Sequence, residues 1–447
     1  FIIAAALGTA FLLGFLPNYW RIPAYLLTLA ALGFMAYVSG DWVWAFATGQ
    51  AQQIEIYTAG AKPPFAISLG LAMPEAVGLL LITATGFLAA LFMNGTLLHY
   101  GRRSMAVYLV FIMALCGIVL TRDLFNLFVF FELTVISTGG LILLSKDERA
   151  LGAGFKYLVA TQLMSILLLI GIIFSYHATG TLNIDGMAVL SDKLLAGSAL
   201  AFFLMLIAVV VELKPFPANG WALDIYESAH PSFSALFSAA AGTATLFAVN
   251  KLLMIGGADW LPIASGIGII TFVAANLFGL SQTNDRRLLG YSSIGQTGLV
   301  LAVIGQADVL GENYLFIAGG ILLAHAVAKA GFYWLSDLIQ SRELKDWSAL
   351  KNRPLLIFAF VTFMALLTGL PPFPGFYAKW ELIHILANEG RLVLLGLILF
   401  GALLEAAYLF RWFGYIIKRE PENGSVACPP IKVAVIYIAV AASWALA

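Results

Sequence analysis

Two long apolar stretches of this chain are interrupted by the same kind of phrase, Glu212-Leu-Lys-Pro-Phe-Pro-Ala-Asn-Gly-Trp221 and Gly369-Leu-Pro-Pro-Phe-Pro-Gly-Phe-Tyr-Ala-Lys379. Proline lacks an amide donor and its ring clashes with the preceding turn, so a helix must open at each phrase. At membrane depth, opened backbone is tolerated only where protein or a water-filled cavity satisfies it. An ammonium stands beside each break, Lys214 in one and Lys379 in the other. Paired interruptions in two halves of a membrane chain are the best sequence pointer to an ion or substrate path.

Composition places the breaks in a bilayer. Of 447 residues, 61% are hydrophobic and 11% are charged, and the mean hydropathy is +0.94. A soluble chain carries about 25% charged residues. The formal net charge is zero, which gives no reason to expect a nucleic-acid partner. Cys116 and Cys428 are too few and too far apart for a disulfide framework or a metal site. No signal peptide is visible, and with Phe1 first and Ser443-Trp-Ala-Leu-Ala447 last both ends read as clipped.

A span needs about 20 mostly apolar residues. On that rule helices are predicted near 1–17, 24–46, 71–98, 105–120, 124–144, 153–176, 194–226 (broken), 232–255, 261–281, 289–305, 314–338, 354–387 (broken), 391–412 and 432–447. Basic residues check the count. With the N-terminus outside, Arg21, Arg102, Arg103, Lys146, Arg149, Arg286, Arg287, Arg342, Lys345, Lys351, Arg353, Arg411, Lys418 and Arg419 fall on one side. Only Lys62, Arg122, Lys193, Lys251 and Arg391 fall on the other, as the positive-inside bias requires of the outer face. Both termini are therefore expected outside.

The fold class that follows is an all-α polytopic membrane protein of about 14 transmembrane helices. Residues 105–255 and 261–412 each hold five spans, the fourth broken. Five is odd, so the second set enters the membrane from the opposite side, giving two inverted five-helix repeats. Residues 1–104 supply additional N-terminal helices, and 413–447 supply a loop and the last helix.

An ionisable group at the centre of a spanning helix costs roughly 2.5–3.5 kcal/mol on insertion scales. Glu132 lies mid-helix in Asn126-Leu-Phe-Val-Phe-Phe-Glu132, and its alternatives are a switchable acid or a static ion pair. Lys156, with Gln162 further along the next helix, either joins the path or snorkels to the membrane edge. Glu212 and Lys214 flank the first break and either neutralise one another or address different neighbours. His325 and Lys329, spaced i, i+4, share a helix face and suit a proton relay better than a metal, since no third ligand is in view. Lys379 follows the second break, with Glu381 and His384 on the next turn. Glu405 has no charge within four residues, so it must find a cation on another helix, with Lys379 the expected partner. In order, Glu132, Lys156, Glu212, Lys214, Lys329, Lys379 and Glu405 would form a polar row across the membrane plane.

These residues resemble those of the antiporter-like membrane subunits shared by respiratory complex I, Mrp-type cation/proton antiporters and membrane-bound hydrogenases. Asn126 to Glu132 is similar to the fifth-helix glutamate motif of that family, closest to its Mrp form. Phe216-Pro-Ala-Asn-Gly-Trp221-Ala-Leu-Asp224 resembles its broken seventh helix, and Asn284 to Gly298 the stretch through its tenth. His325-Ala-Val-Ala-Lys329-Ala and Pro371-Pro-Phe-Pro-Gly-Phe-Tyr-Ala-Lys379 resemble its His/Lys helix and second broken helix. The likeness runs collinearly over 105–412 and implies an ion-translocating subunit for H⁺, Na⁺ or both, without a cofactor of its own. It implies that Glu132 is the pairing glutamate, Lys329 the central lysine, and Lys379 the charged residue of the outward half-channel.

By the same resemblance, the partners are other antiporter-like and small membrane subunits, with soluble redox subunits where the complex is a redox-driven pump. The place is a prokaryotic cytoplasmic membrane. Two departures stand out. Glu212 occupies the seventh-helix lysine position, with Lys214 two residues later, and Thr243 occupies the eighth-helix lysine position. Glu132, Glu212 and Thr243 would then suit a hard cation such as Na⁺, which favours oxygen ligands. Three readings stay open: a conducting subunit, a coupling subunit whose first half-channel is inactive, and a stand-alone secondary transporter.

Overall fold

The computed structural model describes residues 1–58, 60–63, 65–145, 147–190, 199–418 and 425–447. Lys146, Lys193 and Arg419 of the charge count, and the start of the 194–226 span, lie outside the described residues. Among the described residues, ten helices are long and apolar enough to cross a bilayer, from Arg21–Ala47 to Leu392–Lys418. Four further apolar helices are shorter: Ile2–Phe15, Ala199–Glu212, Pro354–Thr368 and Pro430–Ala445. Two of these, Ala199–Glu212 and Pro354–Thr368, are the halves that end at the proline phrases. The chain is thus a multi-pass, mostly helical membrane protein.

Local chemistry explains where the helices start and stop. Asp123 caps Leu124–Ile142 by accepting the Asn126 amide at 2.8 Å, and Asn284 caps Asp285–Ile304 through Arg287 at 3.0 Å. Pro231, Pro354 and Pro374 sit in first turns, where the missing donor costs nothing. Gly369 ends Pro354–Thr368 at φ 78°, a left-handed backbone that glycine adopts freely. The helices on either side of each phrase resume as Gly220–Ser228 and Pro374–Asn388.

Two compact units emerge. The first comprises Phe1–Leu213 with Ala240–Trp260, the second Lys214–Ala239 with Leu261–Ala447. In the second, Leu261–Gly279 and Asp285–Ile304 pack through glycines. A Cβ on Gly268 would lie 2.6 Å from the Gly298 carbonyl, and one on Gly298 would lie 2.8 Å from the Gly268 carbonyl. Small residues at such seams let membrane helices approach closely, because dispersion and not water expulsion holds them.

Several features were not expected from sequence. The 71–98 segment is not one helix: Met73–Phe92 ends at Met93 and a short Asn94–Tyr100 follows. Ile54–Tyr57 and Ser68–Leu71 form an antiparallel hairpin, with Ile54 opposite Leu71. Phe237–Ala241 is a π-helical turn within the Pro231–Gly256 helix. Lys251, counted above with the outer-face charges, is buried within its helix, 2% exposed.

Candidate functional site

In the first unit, the apolar run Leu124–Ile142 places Glu132 mid-helix, where it is partly buried. Its carboxylate accepts from the Ser165 hydroxyl and from Gln162 Nε2 at 3.3 Å, both on Arg149–Thr179. Both partners are neutral, so of the two alternatives for Glu132, a switchable acid or a static ion pair, the ion pair is not formed among the described residues. Tyr157 is buried on the same neighbouring helix, and the charges of both Glu212 and Glu132 act on it. A narrow cavity beside them is lined by Phe131, Val135, Thr161, Ser165, Leu168 and Glu212. Lys156 stands on the exposed face of its helix, while Thr243 is fully buried.

Lys251 was missed as a buried group. Its ammonium donates to the carbonyls of Ile118 at 2.8 Å, Val119 at 2.5 Å and Thr121 at 2.8 Å. The last carbonyls of a helix have no partners within it, and a cation there also favours the helix dipole. Lys251 therefore closes the end of Arg102–Leu120. Beside it, Arg122 pairs with Glu75 at 3.0 Å and Asp185 at 3.5 Å. Sequence offered no signal for this closure, because lysine and acceptors lie 130 or more residues apart.

In the second unit the ionisable groups are more deeply enclosed. Tyr314–Leu338 carries His325, 1% exposed, and Lys329, 0% exposed. The Lys329 ammonium has no hydrogen-bond partner among the described residues. His325 lies beside the Ser238 backbone without a well-formed bond, and the charges of Lys329, Lys214 and Lys379 act on its ring. The i, i+4 spacing thus brings His325 and Lys329 together as expected, and tertiary packing adds the lysines of both breaks.

Lys214 is buried at φ 61°, a strained backbone for a residue with a Cβ, worth of order 1–3 kcal/mol. Its ammonium lies 4.0 Å from the centroid of the Phe237 ring, at the first residue of the π turn. A cation over an aromatic face is stabilised by the ring quadrupole. Single π turns recur at functional positions because they re-aim side chains.

The expected Lys379–Glu405 ion pair is not formed. Lys379 instead donates to the Leu367 carbonyl at 2.9 Å and the Thr368 carbonyl at 3.3 Å, the open end of Pro354–Thr368. Its reach across the break outcompetes a distant carboxylate. Glu405 is 1% exposed and accepts from Ser292 at 3.0 Å, Gln296 at 2.5 Å and Tyr408 at 3.4 Å. Its charge nevertheless acts on both Lys329 and Lys379 at longer range. Glu381 and His384 are engaged separately, with Asn313 at 3.4 Å and Asn388 at 3.2 Å.

The arrangement in the second unit can therefore store and exchange charge among buried acids and bases. Comparisons with known proteins bear on the family of the chain. The family described as NADH:quinone oxidoreductase/Mrp antiporter, transmembrane, matches residues 121–405. The NADH-quinone oxidoreductase subunit N of Desulforudis audaxviator (strain MP104C) is 30% identical over 90% of this chain and 83% of that protein. A chain of the membrane-bound sulfane sulfur reductase, an archaeal respiratory membrane complex, superposes with a TM-score of 0.90 at 27% identity, covering 99% of this chain and 93% of the other. A chain of the Mrp complex from Dietzia sp. DQ12-45-1b shares the fold, with a TM-score of 0.85 at 24% identity over 96% of this chain and 82% of the other. This chain belongs to the NADH:quinone oxidoreductase/Mrp antiporter family of antiporter-like transmembrane subunits.

Proposed function

We propose that this chain moves H⁺, Na⁺ or both across a prokaryotic cytoplasmic membrane, as one antiporter-like subunit of a multisubunit complex. Lys329 is the central exchanging group, His325 and Lys379 its neighbours, and Glu405 the carboxylate that tunes them. The observation that carries this reading is Lys329 itself, an ammonium fully enclosed at mid-helix with no hydrogen-bond partner among the described residues. So costly a placement is kept in membrane proteins for ion paths. Lys214 contributes positive charge from the first break, and Glu132, Lys156 and Glu212 belong to the corresponding row in the first half.

The wider layout is part of the proposal. About 14 spans, two inverted five-helix repeats at 105–255 and 261–412, and both termini on the outer side place the two breaks near the midplane. Partner membrane subunits cover the exposed apolar faces, and soluble redox subunits drive the complex if it is a redox pump. Membership in this family disfavours a stand-alone metabolite transporter.

The neutral partners of Glu132 favour a second reading for the first half alone. There Glu132 and Glu212, with Thr243 where a lysine is usual, either hold Na⁺ through oxygens or merely couple motion without conducting. Lys329→Gln in the assembled complex, measured as ion uptake by membrane vesicles, tests the main reading. Uptake at the normal rate would end it.

A further inference from the structure

The first unit carries an apolar groove away from its buried charges. Three helices wall it: Ile2–Phe15 with Ala10 and Phe11, Arg102–Leu120 with Ala106 and Val110, and Leu124–Ile142 with Ile136 and Gly140. Its volume is about 500 Å³. Phe11 and Ile136 are 65% and 64% exposed, so the groove opens on the side that a bilayer would cover. Ser137 is the polar member of the lining, and its hydroxyl already donates to the Leu133 carbonyl at 2.5 Å. Ordered water needs several polar partners, and these walls give it few.

One end of the groove is cationic. There Ile2–Phe15 ends where Arg102–Leu120 begins, for the Arg102 guanidinium donates to the carbonyls of Leu13 at 2.9 Å and Gly14, and to Asn18 at 2.9 Å. Leu124–Ile142 also finishes at this rim, with Gly140 beside Val107, a Cβ there falling 3.3 Å from it. Arg102 is thus taken up by its own chain, whereas Arg103 is exposed. Arg103 precedes Ala106 and Val107 by three and four positions, so it stands on the groove's face of the helix, at its mouth. Among the described residues, Arg21, Arg102, Arg103 and Arg149 outweigh Asp147 and Glu148 at this rim, and Asp147 is already paired with Arg149 at 3.0 Å. Depth then limits the occupant. From Arg103 to Val110 the helix rises about 10 Å at 1.5 Å per residue. The hydrocarbon of one leaflet is about 15 Å deep, half of the roughly 30 Å core. A partner's spanning helix would run the whole core, whereas an acyl chain enters from the headgroup layer and stops within its own leaflet.

We propose that this groove is a binding site for one anionic phospholipid, with an acyl chain lying between Ile2–Phe15 and Leu124–Ile142 and the phosphate on Arg103. A guanidinium suits that contact, because its planar fork meets phosphate oxygens in pairs. The surplus of arginine at the rim selects headgroups of net negative charge. Each methylene that the groove covers adds to the binding. The lipid fills the seam that Arg102 holds together from the inside, and it does so whichever ion the chain moves.

The test uses the native complex in membranes supplied with phosphatidylglycerol bearing a photoactivatable acyl chain, or with phosphatidylcholine bearing the same chain. After illumination, peptide mass spectrometry should find the label on 106–110 and 136–140, with the glycerol lipid favoured. Arg103→Gln should lower phosphatidylglycerol labelling there about fivefold, as for loss of one cation at an anionic headgroup, and leave the choline lipid unchanged. Ala106→Phe puts a ring into the groove and should lower labelling by both lipids about tenfold, by displacing several methylenes. Equal labelling by the two lipids, unchanged in Arg103→Gln, would overturn the anionic site. Absence of label on these helices, with Ala106→Cys forming a disulfide to a cysteine placed on a neighbouring subunit, would give the groove to a partner helix and end the proposal. Should Ala106→Phe fail to assemble, Arg103→Gln decides alone, since it changes an exposed position.

Discussion

In the first unit the Glu132 carboxylate is met by a serine and a glutamine, and in the second unit Glu405 is met by a serine, a glutamine and a tyrosine. The immediate hydrogen bonds are of the same kind. What differs is the company beyond them. Glu405 acts on two lysines, one of them making no hydrogen bond among the described residues, whereas Glu132 shares its neighbourhood with a second carboxylate, Glu212, through Tyr157. Neutral donors can hold a membrane carboxylate in place in either case. A base within electrostatic reach is what makes its charge state consequential for transport.

This comparison can be broken by substitution. Lys329→Met should have the largest effect, lowering proton uptake by the assembled complex about a hundredfold if it is the exchanging base. Wild-type uptake in that variant would leave the two units functionally alike. Glu405→Gln should follow, since it keeps the Ser292 and Gln296 contacts but removes the charge acting on both lysines. A loss of roughly tenfold is expected in the same vesicle assay. Glu132→Gln should cost clearly less than Glu405→Gln in proton uptake, because no relay lysine stands in register with it. An equal loss would place both halves on one path.

The smallest transport effect is expected for Lys251→Met. It leaves the carbonyls of Ile118, Val119 and Thr121 without their ammonium, which destabilises the protein by about 3 kcal/mol. A lower melting temperature with normal uptake per assembled complex would separate this structural cation from the transporting ones. Lost uptake at unchanged stability would reverse the assignment.

The parts legible in the sequence were those written by local chemistry. Proline forces an opening wherever it falls inside an apolar helix, so both breaks could be located from the chain alone. The i, i+4 spacing put His325 and Lys329 on one face before any packing was known. The partner of Lys379 was not legible, because a lysine four carbons long can satisfy carbonyls across a break before it reaches a carboxylate on another helix. Lys251 escaped for the same reason, its acceptors being distant in sequence. The π turn at Phe237–Ala241 had no visible cue, since Phe-Ser-Ala-Ala-Ala reads as ordinary helix.

The Lys379 ammonium also fastens two pieces of backbone. It springs from Pro374–Asn388 and closes the last carbonyls of Pro354–Thr368, and the Gly369 between them leaves just enough room, a Cβ there falling 3.0 Å from the lysine chain. Geometry and protonation are thereby one thermodynamic variable. Whatever bends this hinge must change the affinity of Lys379 for its proton, and whatever removes that proton must loosen the hinge by an equal free energy. The latch is reciprocal, so a neighbouring subunit that only pushed on this helix would already be speaking to the ion.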